Sequence, residues 1–174
     1  MRTFGVERER YITNAQGKII PVIGELLPCV HRFARERGLS ENLFSFELFA
    51  GQIEDRTPPC HNLGAIRAAL LANDGILLEA ASSLGLAFDY SEFIEEEMVV
   101  AFEVNPFDER HRRIWESISN DRGIAASAVA AVHVHISVAD EEAVRILNLC
   151  RKDVIDRLIA VGDHSCLKRI NAYR

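Results

Sequence analysis

Hydrophobic and polar positions change period several times along this chain. Residues 3–13 alternate, with Phe4, Val6, Tyr11 and Ile12 as the apolar content, and predict a strand. Asn14-Ala15-Gln16-Gly17 supplies turn chemistry. From Pro21 to Arg37 the apolar residues Ile23, Leu26, Leu27, Val30, Phe33 and Ala34 recur at helical spacing, and Gly38 is placed to stop the helix. Phe44 to Phe49 and Gly51 to Arg56 predict a pair of strands, or one strand bulged at Ala50-Gly51, ended by Thr57-Pro58-Pro59. The longest helix is predicted over 62–83, closing at Gly85. Short strands follow at 86–90 and 98–104, and the acidic residues Glu92 and Glu95 to Glu97 between them read as a solvated loop or a helix start. A charged amphipathic helix over 108–120 is built around Ile114, Trp115 and Ile118. The apolar stretch 125–138 ends as a strand, and Asp140 opens a last helix that runs towards Ala160. Both helices and hairpin-like turns join the strands. That mixture predicts an α+β fold with a mainly antiparallel sheet rather than a doubly wound parallel one.

The predicted strands carry paired polar residues. Glu7 and Glu9 lie two apart near the start, and His133 and His135 lie two apart near the end. Residues i and i+2 of a strand project from the same face, so each pair should point one way. Glu47 and Glu54 lie one on each strand of the central pair. If these strands are neighbours, one sheet face gathers up to four carboxylates and two imidazoles. Such a concentration of negative charge is costly unless a cation sits in it, and a divalent metal is the natural candidate. Each piece also has a plainer reading. Glu-x-Glu is common on solvated strands, whereas histidines interrupting an apolar run must be hydrogen-bonded in the core or face a cavity. The helical i, i+4 spacing of HExxH zinc sites is absent, and Glu141 and Glu142 stand in a helix start rather than on the strand a cupin would use. The oxygen-rich set Glu7, Glu9, Glu47 and Glu54 favours Mg²⁺ or Mn²⁺, with His133 tipping the balance towards Mn²⁺.

Composition narrows the setting. A chain of 174 residues can form one ordinary domain, taken as 1–174. Its net charge of −6 argues against a general nucleic-acid binder, which needs a basic field. Neither a secretory signal nor an apolar run of roughly 20 residues, the length of a membrane span, is visible. Cys29, Cys60, Cys150 and Cys166 are scattered without a CxxC, which predicts reduced thiols and a cytoplasmic setting.

The order of the motifs carries a family resemblance. Gly5-Val6-Glu7-Arg8-Glu9, then Glu47-Leu48-Phe49 leading through Ile53-Glu54 to Thr57-Pro58, then His133-Val134-His135-Ile136-Ser137, and the closing Tyr173-Arg174 resemble the type-two bacterial glutamate–cysteine ligases, also called carboxylate–amine ligases. The resemblance implies the fold of the glutamine synthetase catalytic domain, a curved antiparallel sheet with helices packed on one face. It implies an ATP-dependent ligase that activates a glutamate carboxylate as an acyl phosphate for attack by an amine, as in glutathione biosynthesis. Residue by residue, Glu7 and Glu9 would face two different divalent ions. Glu54 and Glu47 would complete the ion on the amino-acid side, and His133 would ligate the ion holding the nucleotide phosphates. His135 would act near the transferring phosphoryl group and, with Ser137, contact the nucleotide, while Arg174 would hold an anionic substrate. The chain departs from the family in having Asp163-His164-Ser165-Cys166 for its Ser-Pro segment and Glu103-Val104-Asn105-Pro106 for its Thr-His-Pro. Family members also continue beyond the Tyr-Arg motif. These residues therefore correspond to the N-terminal part of the family domain, and a homodimer or a second chain would supply the rest. The alternative is a non-catalytic remnant or partner subunit that binds a divalent metal or an amino acid.

Overall fold

A long first strand organises the molecule. The structure is a computed structural model that describes residues 2–122, 129–149 and 152–163. Strand β1 (Phe4–Thr13) leads through a turn to helix α1 (Ile23–Glu36), then β2 (Phe44–Phe46), β3 (Gln52–Arg56) and helix α2 (Leu63–Ser83). Strand β4 (Ala87–Asp89), helix α3 (Glu109–Arg122), strand β5 (Val132–Ile136) and helices α4 (Asp140–Leu149) and α5 (Lys152–Gly162) follow. One edge of β1 pairs with β3, which in turn pairs with β2. The other edge is shared, with β5 along the first half of β1 and β4 along its last three residues. Every pairing between these described strands is antiparallel, as the alternation of turns and helices predicts.

Alternation along β1 divides the chemistry between the two sheet faces. Arg8, Arg10 and Ile12 face α1 and α2, and Glu7, Glu9 and Tyr11 face away. On the helix side α1 contributes Ile23, Leu26, Leu27, Val30 and Ala34, and α2 contributes Ile76, Leu77, Ala80 and Ala81. These pack on Ile12, Phe44, Ala50 and Ile53 to form the main core. Asn62 caps α2, its side chain accepting from the Ala65 N–H at 2.9 Å. Gly38 and Gly85, just past α1 and α2, have φ of 70° and 68°, the left-handed conformation in which a helix stop favours glycine.

The same face holds a buried ionic hub. Asp55 of β3 is fully buried and receives Arg8 at 2.8 and 3.2 Å, Arg10 in a very short ion pair, and the Asn73 amide at 3.0 Å. Asp74 of α2 receives Arg8 at 2.8 Å and Arg10 at 3.2 Å. Arg10 also lies over the rings of Phe88 and Tyr90, 5.6 and 5.2 Å from their centroids. Two guanidinium and two carboxylate groups cancel, which lets the charges remain inside. The sequence Glu7-Arg8-Glu9-Arg10 thus places acids on one face and their opposites on the other.

Beyond the sheet's other face, a smaller cluster of Tyr11, Ile19, Phe49, Ile94 and Ala130 covers the Tyr11 end, with Met98, Val99 and Phe102 against it. Phe102 stacks between Phe49 and Trp115, at 4.4 and 4.6 Å. The Glu7 end is left accessible.

Some predicted elements take another form. Residues 98–104 make no strand. Their backbone is divided between two partners, Val100 N–H to the Ile19 carbonyl and the Glu103 carbonyl to Ala50 N–H, so no continuous ladder can form. The central segment is two strands joined through 47–51. Gly51 is needed there, because a Cβ would stand 2.6 Å from the Phe49 ring and 2.9 Å from Ile19. The helix predicted from Asp140 towards Ala160 is present as α4 and α5, and residues 150 and 151 between them lie outside the described residues. Strand β5 is not a core strand, since Val132, Val134 and Ile136 are 51–67% exposed. Cys60 is buried and Cys29 half-buried, both as free thiols, and Cys150 and Cys166 lie outside the described residues. Among the described residues no helix is long and apolar enough to cross a membrane.

Candidate functional site

The ladder hydrogen bonds bring the polar pairs together. Glu9 is opposite Glu54 and Glu7 is opposite Arg56 across β1 and β3. On the other edge Glu7 is opposite His133, and Gly5 is opposite His135. Glu47 comes from the irregular segment after β2. The result is two groups whose ligand atoms lie within 4.8 Å of one another, Glu7 with Glu54 and His133, and Glu9 with Glu47 and Glu54. Glu54 belongs to both.

Glu7 has three basic side chains around it. His135 Nε2 lies 3.1 Å and His133 Nδ1 3.5 Å from its Oε2, and Arg56 Nε is 3.9 Å from its Oε1. Burial alone would raise its pKa. The His135 hydrogen bond and charge, with Arg56 and His133 beside it, outweigh that and hold Glu7 below the usual carboxylate range. Glu9 accepts the Ala131 N–H at 2.9 Å, and Glu54, nearly buried, pairs closely with Arg56. Glu47 is pushed the other way. Burial, then the charges of Glu9 and Glu54, raise it from 4.5 to about 8, so at neutral pH it keeps its proton. A carboxyl group held protonated by burial and by two neighbouring carboxylates marks a donor set short of positive charge. Oxygen donors with one imidazole fit Mg²⁺ or Mn²⁺.

This has a measurable consequence. Between pH 4.5, the ordinary value for Glu47, and about 8, the native state holds a proton that the unfolded chain has released. The contribution of Glu47 to stability therefore falls as pH rises through that window and levels off above it. Glu7 acts oppositely, its contribution being present above 4.5 and lost as pH falls through its lowered native value. In metal-free buffer the urea midpoint of the wild type should decline across the Glu47 window relative to Glu47→Gln. Parallel pH profiles for the two proteins would refute the assignment.

The other expected residues are placed as follows. His133 and His135 are neither in the core nor enclosed, with side chains 50% and 60% exposed, because β5 is an outer strand. His135 touches Glu7 but belongs to neither three-residue group. Ser137 is tied to the start of β1, its Oγ accepting from Thr3 N–H at 2.8 Å and its own N–H donating to the Thr3 carbonyl at 2.9 Å. It lines a cavity of about 320 Å³ together with Glu7, Arg56, Thr57 and His135. Arg174 lies outside the described residues. Sequence reasoning missed Arg56, which enters the carboxylate cluster. Its parity with Glu54 on β3 is the signal that could have found it.

An antiparallel α+β sheet with convergent carboxylates and imidazoles on its open face defines a class of candidate metal-dependent proteins. The chain belongs to glutamate-cysteine ligase family 2, whose model matches residues 3–161. None of the curated proteins compared with it matches. Among solved structures it is similar to a bifunctional glutathione synthetase from Pasteurella multocida, with a TM-score of 0.62 and 14% identity, covering 87% of this chain and 19% of that one. It is also similar to a glutamate–cysteine ligase from Francisella tularensis in complex with AMP, with a TM-score of 0.55 and 14% identity, covering 85% of this chain and 29% of that one. At such identity the likeness is one of fold. The chain spans under a third of the length of either.

Proposed function

We propose that these residues form the metal-binding sheet of an ATP-dependent carboxylate–amine ligase of the glutamate–cysteine type. The observation that carries the reading is the pair of convergent groups sharing Glu54 beside a cavity. Family membership supplies the reaction class, and the AMP in the Francisella tularensis structure supports a nucleotide as co-substrate. In the reaction proposed, the γ-phosphoryl group of ATP passes to the glutamate side-chain carboxylate, giving an acyl phosphate and ADP. An amine then attacks the acyl carbon and inorganic phosphate leaves. Glu7, Glu54 and His133 would hold one Mg²⁺ or Mn²⁺, and Glu9, Glu47 and Glu54 the other. Bound there, divalent ions neutralise phosphate charge as it develops. His135 and Ser137, at the cavity rim, would orient the nucleotide phosphates, and Arg174 would hold an anionic substrate group.

A second reading, a non-catalytic subunit that binds a metal or an amino acid, is favoured by the apolar side chains that β5, α4 and α5 leave exposed. Val134 of β5, Leu147 of α4, and Leu158 and Val161 of α5 are 66–77% exposed, and exposed apolar surface invites a partner. On this reading the domain comprising 1–174 works with a second copy or a second chain. One assay separates the readings. With ATP, Mg²⁺, glutamate and an amine, the ligase should release phosphate, and Glu54→Gln should abolish the release. Metal binding without turnover favours the second reading, and neither binding nor turnover would sink both.

A further inference from the structure

Arg56 stands inside the carboxylate cluster without being one of its candidate ligands. Across β1 and β3 it is opposite Glu7. Its guanidinium bonds closely to Glu54, with Nε 3.9 Å from Glu7. Those two carboxylates belong, with His133, to one of the convergent groups. We infer that Arg56 is the built-in counter-ion of this group, competing with a divalent ion for Glu7 and Glu54, so that metal binding requires its guanidinium to swing away. The inference rests on the metal reading above and adds to it the residue that sets the metal affinity.

The way Arg56 is held differs from the way a structural arginine is held. Arg8 puts Nε and a terminal nitrogen on Asp55 and both terminal nitrogens on Asp74, the fork geometry in which guanidinium groups bind strongly. Arg56 Nε is shielded from solvent and has no hydrogen-bond partner among the described residues. Charge, more than fork geometry, keeps it in place. Its backbone is pinned, since the Asn73 amide donates to its carbonyl at 3.0 Å and it lies within β3. Movement is therefore confined to the side chain, which is 38% exposed and already lines the 320 Å³ cavity. The guanidinium has a reason to be where it is, little to lock it there, and room to leave.

Calorimetric titration with Mn²⁺ tests this. Arg56→Gln removes the competing charge and should tighten binding by about tenfold, while Arg56→Lys, which keeps the charge, should stay near the wild type. Without metal the melting temperature of Arg56→Gln should lie below that of the wild type, and saturating Mn²⁺ should narrow or reverse the difference. Should the variant fold poorly, the wild type alone decides. The Arg56 Nε–H resonance should shift in step with Mg²⁺ occupancy, and a signal unmoved at saturation overturns the inference. Equal or weaker Mn²⁺ binding by Arg56→Gln, with the wild type binding, overturns the role of Arg56 and leaves the metal site standing. Binding by neither protein overturns both.

Discussion

Glu54→Gln should weaken Mn²⁺ binding at both convergent groups together, by on the order of 100-fold or more. The residue is shared by Glu7–Glu54–His133 and Glu9–Glu47–Glu54. Changes one shell further from a metal typically cost roughly 10–100-fold, so loss of a direct carboxylate donor should exceed that. Glutamine keeps the size of the side chain and can still accept from Arg56, which limits the effect on folding. Contrast with the single-group variants makes the test specific. His133→Ala should weaken one binding event and spare the other, and Glu47→Gln should do the converse. Calorimetry resolves this as a stoichiometry: two events in the wild type, one retained in each single-group variant, and neither in Glu54→Gln at the same metal concentration. Undiminished binding by Glu54→Gln would remove the shared-ligand arrangement.

Asp55→Ala should cost roughly 3–5 kcal/mol of stability, or prevent folding. Asp55 is wholly buried on the face of the sheet opposite the carboxylates and is the common partner of Arg8, Arg10 and Asn73. Truncation leaves Arg10, itself almost fully buried, with Asp74 at 3.2 Å as its remaining carboxylate. The penalty arises from the uncompensated guanidinium charge more than from the lost attraction. Asp55→Asn should be milder, because its amide oxygen still accepts one of those donors. Urea denaturation of both variants measures the difference, and a loss below about 1 kcal/mol for the alanine variant would mean that water or Asp74 fully replaces the carboxylate. Because Asp55 adjoins Glu54 on β3 and ties β3 to β1 and α2, the hub also holds the strands in the register that faces Glu9 with Glu54.

Much of the architecture was legible in the order of residues. The period-two run of β1, the helical spacing of α1, the span of α2 and the stops at Gly38 and Gly85 are local backbone matters, and each stands close to where the pattern put it. The pairing of Glu7 with Glu9 and of His133 with His135 on common faces follows from parity alone. Length and side-chain period say less where a segment bonds to two partners at once, which is why 98–104 is no strand. They also say little about exposure, which depends on what packs above an element. An apolar run around the histidines looks like core, yet β5 is an outer strand beyond the cover of α1 and α2.

The site itself was only half determined by sequence. Residue types and parity named Glu7, Glu9, Glu47, Glu54 and the pair His133 and His135, and the family resemblance chose His133 as the ligand. That Glu54 is shared by both groups, that Glu47 arrives from an irregular segment and keeps its proton, and that Arg56 fills the gap between Glu7 and Glu54 are properties of register. Register is set across strands distant in sequence, by ladder hydrogen bonds and by the buried charges of Arg8, Arg10, Asp55 and Asp74. A one-residue slip would leave every local pattern unchanged and turn the carboxylates of one strand to the other face of the sheet.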